Sequence, residues 1–279
     1  MKLVVTILQA RRVVMPYIFV KHALPRMQAV FPGQIEVVLV QHRSLPDPKQ
    51  SDPFLETTKT DPSWGERVVE WTEAGRYEGA DVVTHDVHNP NYPSIPTFHR
   101  ACVEALNRGA DYHLWIEDDA LVCDENCGRW PAIFGDREMG VYRHFSEVNA
   151  AFFVTRPAFD ERALPGLERY AHWTKGERIE RYLRRQLRTP RAHLNPAYAV
   201  RNHRNPFPYT GARFVAEMVR RIAPEDVELL DLELGEGASR LPPVSSRELR
   251  WLWVRDWARP VELARRVKNG LVERARGRL

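Results

Sequence analysis

With 279 residues the chain is long enough for one large domain or two small ones, and 43% hydrophobic against 28% charged residues is the balance of a soluble globular protein. No apolar run approaches the roughly 20 residues that span a bilayer. The formal charge of +4 is uneven: residues 240–279 hold eleven Arg/Lys and four Asp/Glu, a net of +7, so residues 1–239 net −3.

The first run, Lys2–Leu8, is β-rich, with one positive charge and no small-residue cleavage site, and reads as a core strand and not as a signal peptide. From Met15 to Phe31 the apolar spacing turns helical, with Pro16 acceptable in a first turn and Pro25 a kink or break. Ile35–Gln41 is a second strand, apolar enough for burial on both faces. Residues 43–63 carry Pro46, Pro48, Pro53 and Pro62 and form a long loop. A helix over Ser63–Gly75 and a third strand, Ala80–Thr84, follow. Ser94 caps a helix with Pro96 in its first turn, and Phe98, Cys102, Val103 and Leu106 fall at helical spacing for the core.

Tyr112–Ile116 is a fourth strand, and it ends in three consecutive acids, Glu117, Asp118 and Asp119. Adjacent carboxylates repel one another, and a cation or a set of donors offsets that cost. Oxygen clusters suit hard ions such as Mg²⁺ or Mn²⁺, which hold nucleotide phosphates; a solvated acidic turn is the plainer alternative. Strands alternating with helices imply βαβ units and a mostly parallel sheet, where ligands bind beyond the strands' carboxyl ends. Gln9–Arg12, Asp86 and Glu117–Asp119 all fall at such ends.

The second half is less regular. Val148–Thr155 reads as a strand, Glu177–Leu187 as a charged helix, Ala197–Val200 as a short strand and Thr210–Ile222 as a helix before an acidic segment, Glu225–Glu236. Pro242-Pro243 marks a boundary. Beyond it three tryptophans lie among the arginines of Arg247–Arg259, and Ala264, Val267 and Leu271 form an apolar stripe. Such a tail fits an anionic membrane surface or DNA, or packs its Trp face on the domain. Cys102, Cys123 and Cys127 are too few and too odd in number for a disulfide framework, which fits a reducing cytoplasm. Cys123 and Cys127 lack the two further ligands of a zinc site.

The N-terminal strand, the strand ending in Glu117-Asp118-Asp119, the Arg156–Asp160 sequence after a later strand and the Pro196…His203 segment together resemble GT-A glycosyltransferases over about residues 1–210. The resemblance implies an α/β fold of GT-A, Rossmann-like type: a mostly parallel central sheet flanked by helices. It divides the chain into a catalytic domain, 1–239, with a nucleotide-sugar half (1–122) and an acceptor half (123–239), and a basic helical tail, 240–279. It also implies a nucleotide-diphospho-sugar donor, UDP-sugar first, a Mn²⁺ or Mg²⁺ ion, and a glycan or lipid-linked acceptor.

Glu117-Asp118-Asp119 is similar to the family's Asp-x-Asp motif, so Asp119, Glu117 and His203 become the expected metal ligands. Glu in the motif's first place is a departure and leaves metal dependence open. Gln9, Arg11 and Asp86 take strand-end positions where relatives hold base and ribose, Glu117 would face the ribose or the metal through water, Asp118 joins them among the expected donor-binding residues, and Arg100 is placed to meet the diphosphate. An acceptor hydroxyl needs a base; Glu177, opening the charged helix, resembles that carboxylate, with Asp160 and Glu147 as competitors. The expected location is cytoplasmic, peripheral at the inner membrane surface. The alternatives are a phage-type DNA glycosyltransferase acting on 5-hydroxymethylpyrimidines, a non-catalytic nucleic-acid-binding protein, and a nucleotidyltransferase, whose glycine- and lysine-rich phosphate loop Gln9-Ala-Arg-Arg-Val does not match.

Overall fold

A computed structural model describes residues 1–9, 12–44, 62–87, 94–118, 120–123, 127–129, 131, 139–142, 151–155, 192–193, 199–201 and 212–245. Arg11, Asp119, Glu147, Asp160, Glu177 and His203 lie outside the described residues, as do the charged helix at 177–187 and the tail beyond residue 245.

Strands β1 (Lys2–Gln9), β2 (Gln34–Ser44), β3 (Asp81–Val87) and β4 (Tyr112–Glu117) form the parallel part of a seven-stranded sheet. The order runs β3-β2-β1-β4, then β7 (Ala151–Thr155), β6 (Met139–Tyr142) and β8 (Ala192–His193). β7 is antiparallel to both β4 and β6. A separate antiparallel pair joins β5 (Ala120–Val122) to β9 (Ala199–Arg201).

The central strands β1, β2 and β4 are predominantly apolar because both faces of the sheet are covered there, as in parallel sheets generally. Leu3, Val5, Ile7, Val37, Leu39, Leu114 and Ile116 join one core cluster with the first helix and with α5 (Ala212–Ile222). Val4, Thr6, Val38, Val40, His113 and Trp115 are buried too and, by strand alternation, face the other way. There α4 (Ser94–Asn107) packs, with Phe98 edge-on to Trp115 at 5.4 Å between ring centroids. Its buried row is Phe98, Ala101, Cys102 and Ala105; Val103 and Leu106, also expected inside, are only partly covered. Arg108 Nη1 donates to Asp81 Oδ2 at 2.7 Å, pinning the end of α4 to the start of β3, and Gly109 at φ +69° stops the helix in the left-handed region.

The first helix runs without interruption through Pro25, where a kink or break was expected. α1 (Val14–Ile18) passes into a π-helical turn, Phe19–Ala23, and then into α2 (Leu24–Gln28), which has Pro25 in its first turn. Proline cannot donate to the carbonyl one turn back, and the wider π turn absorbs that lost bond. α3 (Pro62–Glu73) lies between β2 and β3. After α5, a 3-10 helix (Pro224–Leu230) and the short α6 (Asp231–Leu234) fold back onto the first helix.

Candidate functional site

β1 connects to β2 on one side of itself, and β4 pairs on its other side, so the strand order reverses between β1 and β4. In open α/β sheets, the carboxyl end of such a reversal is where a crevice forms and ligands bind. Leu8 stands opposite Glu117 there. Glu117 and Asp118 are both partly exposed, and they follow an interior whose residues, His113–Ile116, are fully buried.

The loop from β1 to α1 is held by a buried polar chain. Gln41 Nε2 donates to Gln9 Oε1 at 3.0 Å, and Gln9 Nε2 donates to Tyr77 Oη at 2.7 Å and to the Arg12 carbonyl at 2.9 Å. Tyr77 Oη in turn donates to the Val13 carbonyl. Gln9, expected at the base or ribose, is therefore 1% exposed with both amide hydrogens committed, and it shapes the loop. Burial pushes the Tyr77 phenol well up, against the lowering effect of the Gln9 hydrogen bond.

Two carboxylates meet the entrance of α1. Asp118 Oδ2 accepts from the Arg12 backbone N–H at 3.0 Å. Glu233, reaching in from α6, accepts at Oε1 from the backbone N–H groups of Val13 (2.5 Å) and Val14 (2.7 Å). These are orphan donors of a helix start, and a carboxylate there also meets the positive end of the helix dipole. Arg12 Nη1 donates to the Glu233 carbonyl at 3.0 Å and stands 4.0 Å from Glu233 Oε2. Burial pushes Glu233 up to about 7, opposed by the Val14 N–H and the Arg12 charge.

The remaining expected residues fall around this crevice unevenly. Asp86 stands opposite Arg43 on β3, two residues beyond the row formed by Gln9, Gln41 and Thr84. That is two strands from β1, about 10 Å across the sheet. Arg100 on α4 donates from Nη2 to Glu104 at 2.6 Å, an ion pair that contact with a diphosphate would have to break. Cys102, Cys123 and Cys127 are all buried; Cys127 Sγ donates to the Met27 carbonyl.

A second polar cluster occupies the π turn. His22, Glu225 and Asp226 bring potential ligand atoms within 4.8 Å of one another. Yet Lys21 Nζ already sits 2.9 Å from Asp226 Oδ2, and His22 turns Nε2 to Asp226 and Nδ1 to Glu225. The ammonium fills the place of a cation and the ring straddles two carboxylates, so the group works as an ionic clasp between the first helix and the 3-10 helix. Burial pushes Asp226 up, and the hydrogen bonds from Lys21 and His22 outweigh it and hold the carboxyl below its usual range.

The sequence did not point to Glu233 or Asp226, and Arg12 was included only as the end of the strand-end segment Gln9–Arg12. Their signal was the acidic run Glu225–Glu236 set against the cations Arg12 and Lys21 at the start of and within the first helix, two segments of opposite charge that pair across the fold.

No protein-family model matches this sequence, and a comparison with curated proteins finds no significant match. Among solved structures, the chain is similar to a protein from Desulfovibrio desulfuricans G20 assigned as a nucleotide-diphospho-sugar transferase. That alignment covers 87% of this chain and 99% of that one, at 9% identity and a TM-score of 0.40. It is also similar to S. aureus TarS (92% and 48% covered, 10% identity, TM-score 0.38). A third likeness is to the galactosyltransferase LgtC in complex with donor and acceptor sugar analogs (90% and 100% covered, 13% identity, TM-score 0.35). At these scores the likeness is too loose to carry over any residue of the site.

Proposed function

We propose that the chain is a glycosyltransferase that moves a sugar from a nucleotide-diphospho-sugar, of UDP type, to a hydroxyl of a glycan or lipid-linked saccharide. The observation that carries the reading is the position of the acidic strand end: β4 delivers Glu117 and Asp118 to the reversal of strand order beside the β1–α1 loop. A crevice of that kind suits a nucleotide, and carboxylates at its mouth suit the hard cation that accompanies a diphosphate.

The β5–β9 ladder adds support for the expected ligand set. Ala120 pairs with Arg201 at one end of this antiparallel ladder. In the sequence Asp119 precedes Ala120 and His203 follows Arg201 by two residues, so the chain leaves the ladder toward both from the same end. Two acids and an imidazole form a donor set for Mn²⁺ or Mg²⁺. In this reading Asp119, Glu117 and His203 hold the ion, which when bound would stabilise the negative charge of the leaving diphosphate. Arg11 and Asp86 contact base and ribose, and Asp118 fixes the loop that carries Arg11. Arg100 leaves Glu104 to meet the diphosphate. Glu177, with Asp160 and Glu147 as alternatives, takes the acceptor's proton as the sugar carbon becomes oxocarbenium-like.

A thermal-shift panel of UDP-, GDP- and TDP-sugars with Mn²⁺ tests the reading. One donor should raise the melting temperature, and Asp119→Ala should remain folded and lose donor hydrolysis. No shift with any donor would instead favour a non-catalytic protein. The net charge of +7 over residues 240–279 favours an anionic partner for the tail. Salt-sensitive retention on duplex DNA would assign the acceptor to modified DNA bases, and retention on anionic vesicles to a lipid-linked saccharide at a membrane surface. No helix among the described residues is long and apolar enough to cross a membrane.

A further inference from the structure

Glu233 departs from an ordinary surface acid in three ways. It belongs to a segment more than two hundred positions along the chain from the loop it touches, its side chain is 3% exposed, and its Oε2 is buried with no hydrogen-bond partner among the described residues. A buried carboxylate oxygen left without a hydrogen bond is costly, and folds retain such a group where it does something apolar packing cannot. Its Oε1 takes the first two orphan N–H groups of α1, and Arg12 is bound from two directions, by the Glu233 carbonyl at Nη1 and by Asp118 at the backbone N–H. Glu233, Arg12 and Asp118 thus form one connected unit, spanning α6, the β1–α1 loop and the end of β4.

We infer that Glu233 is a positioning residue for the nucleotide end of the crevice: it fixes Arg12 and the first turn of α1, and through the Arg12 N–H it sets the orientation of Asp118 in the acidic strand end. The inference rests on the glycosyltransferase reading for what the crevice binds, and on the geometry alone for what Glu233 holds. The C-terminal segment, 224–245, is then part of the donor site's frame. The charged and titratable groups facing the carboxylate are Arg12 from the loop, Asp118 from β4 and the Tyr77 hydroxyl; Arg67 of α3 reaches the neighbouring Leu232 carbonyl. Ionised Glu233 holds the two N–H groups and Arg12 by charge-assisted hydrogen bonds that the neutral acid lacks, so the charge that orients them develops as pH rises through neutrality, even as burial makes that charge costly to the fold.

Glu233→Gln tests this. Glutamine keeps the volume and one acceptor oxygen, but it loses the charge and turns an NH₂ group toward Arg12. UDP with Mn²⁺ should bind the variant about tenfold more weakly than the wild type at about pH 8, the loss expected of one charge-assisted hydrogen bond. The ratio should shrink toward one at about pH 6, where the wild-type carboxyl is largely protonated. A purely structural role would lower affinity equally at both pH values. Amide exchange of residues 12–18 should be faster in the variant without any nucleotide. Equal UDP binding at both pH values, or unchanged exchange at those amides, overturns the inference. If the wild type binds none of UDP, GDP or TDP while the exchange difference is present, the glycosyltransferase reading fails and Glu233 is left as a cap of α1 with no donor to position.

Discussion

His113 makes the stability of this fold depend on pH in a way that can be worked out in advance. It lies on β4 facing α4, is fully buried, and places Nε2 2.6 Å from Thr6 Oγ1. Burial pushes its imidazole down from 6.5 to about 3. The unfolded chain therefore takes up this proton well above the pH at which the folded protein does. The neutral ring's contribution is fully present above about 6.5 and is lost as pH falls toward about 3. Between about pH 7 and about pH 5 the loss comes to about 2 kcal/mol. The comparison protein is a double variant, His113→Leu with Thr6→Val, which replaces both polar partners by apolar groups of similar size and so leaves neither buried alone. Urea unfolding at the two pH values gives the assay. The wild type should lose about 2 kcal/mol more than the double variant on acidification. Parallel losses in the two proteins would refute the argument, because the buried ring would then not be resisting protonation.

Glu233 should act with the opposite sign. Its folded value of about 7 lies above the ordinary 4.5, so its contribution is complete below about 4.5 and declines as pH rises through about 7. Relative to Glu233→Gln, the wild type should lose about 2 kcal/mol between about pH 5 and about pH 7.5 by the same urea assay, and a flat difference would contradict it. Trp115→Ala, which empties a fully buried site against Phe98, should cost about 3–5 kcal/mol; a cost under about 1 kcal/mol would mean that the face under α4 is not packed as described. Cys102, whose thiol burial pushes well up, should resist alkylation in the native protein and react only after denaturation, as mass spectrometry of labelled peptides would record.

Strands β1, β2 and β4 were legible because their interiors are buried on both faces and so write a largely apolar run between polar boundaries, whereas β3 lies at the sheet edge and is largely exposed. β1 was expected over Lys2–Leu8 and runs Lys2–Gln9; β4 was expected over Tyr112–Ile116 and runs Tyr112–Glu117. The short strands β5, β6 and β8 were not expected, because two to four residues carry too little pattern and their pairing is set by distant segments. At Pro25 the expected kink or break takes the form of a π turn, Phe19–Ala23, that lets the helix continue, a local widening that the residues around the proline do not spell out. At the site, the acidic strand end was visible as three charges following an apolar strand. The grip of Glu233 on α1 was not, since it depends on chain segments more than two hundred residues apart meeting in space. Gln9 donates to the Arg12 carbonyl and to Tyr77, contacts that strand-end position alone could not reveal.

The nucleotide-diphosphate site is proposed at the reversal of strand order between β1 and β4. Hydrogen exchange of the whole chain with and without UDP and Mn²⁺ addresses it most directly. Protection should concentrate in residues 7–14 and 114–121, the ends of β1 and β4 with the loop between β1 and α1. Protection confined to other segments, or none at saturating nucleotide, would contradict the account.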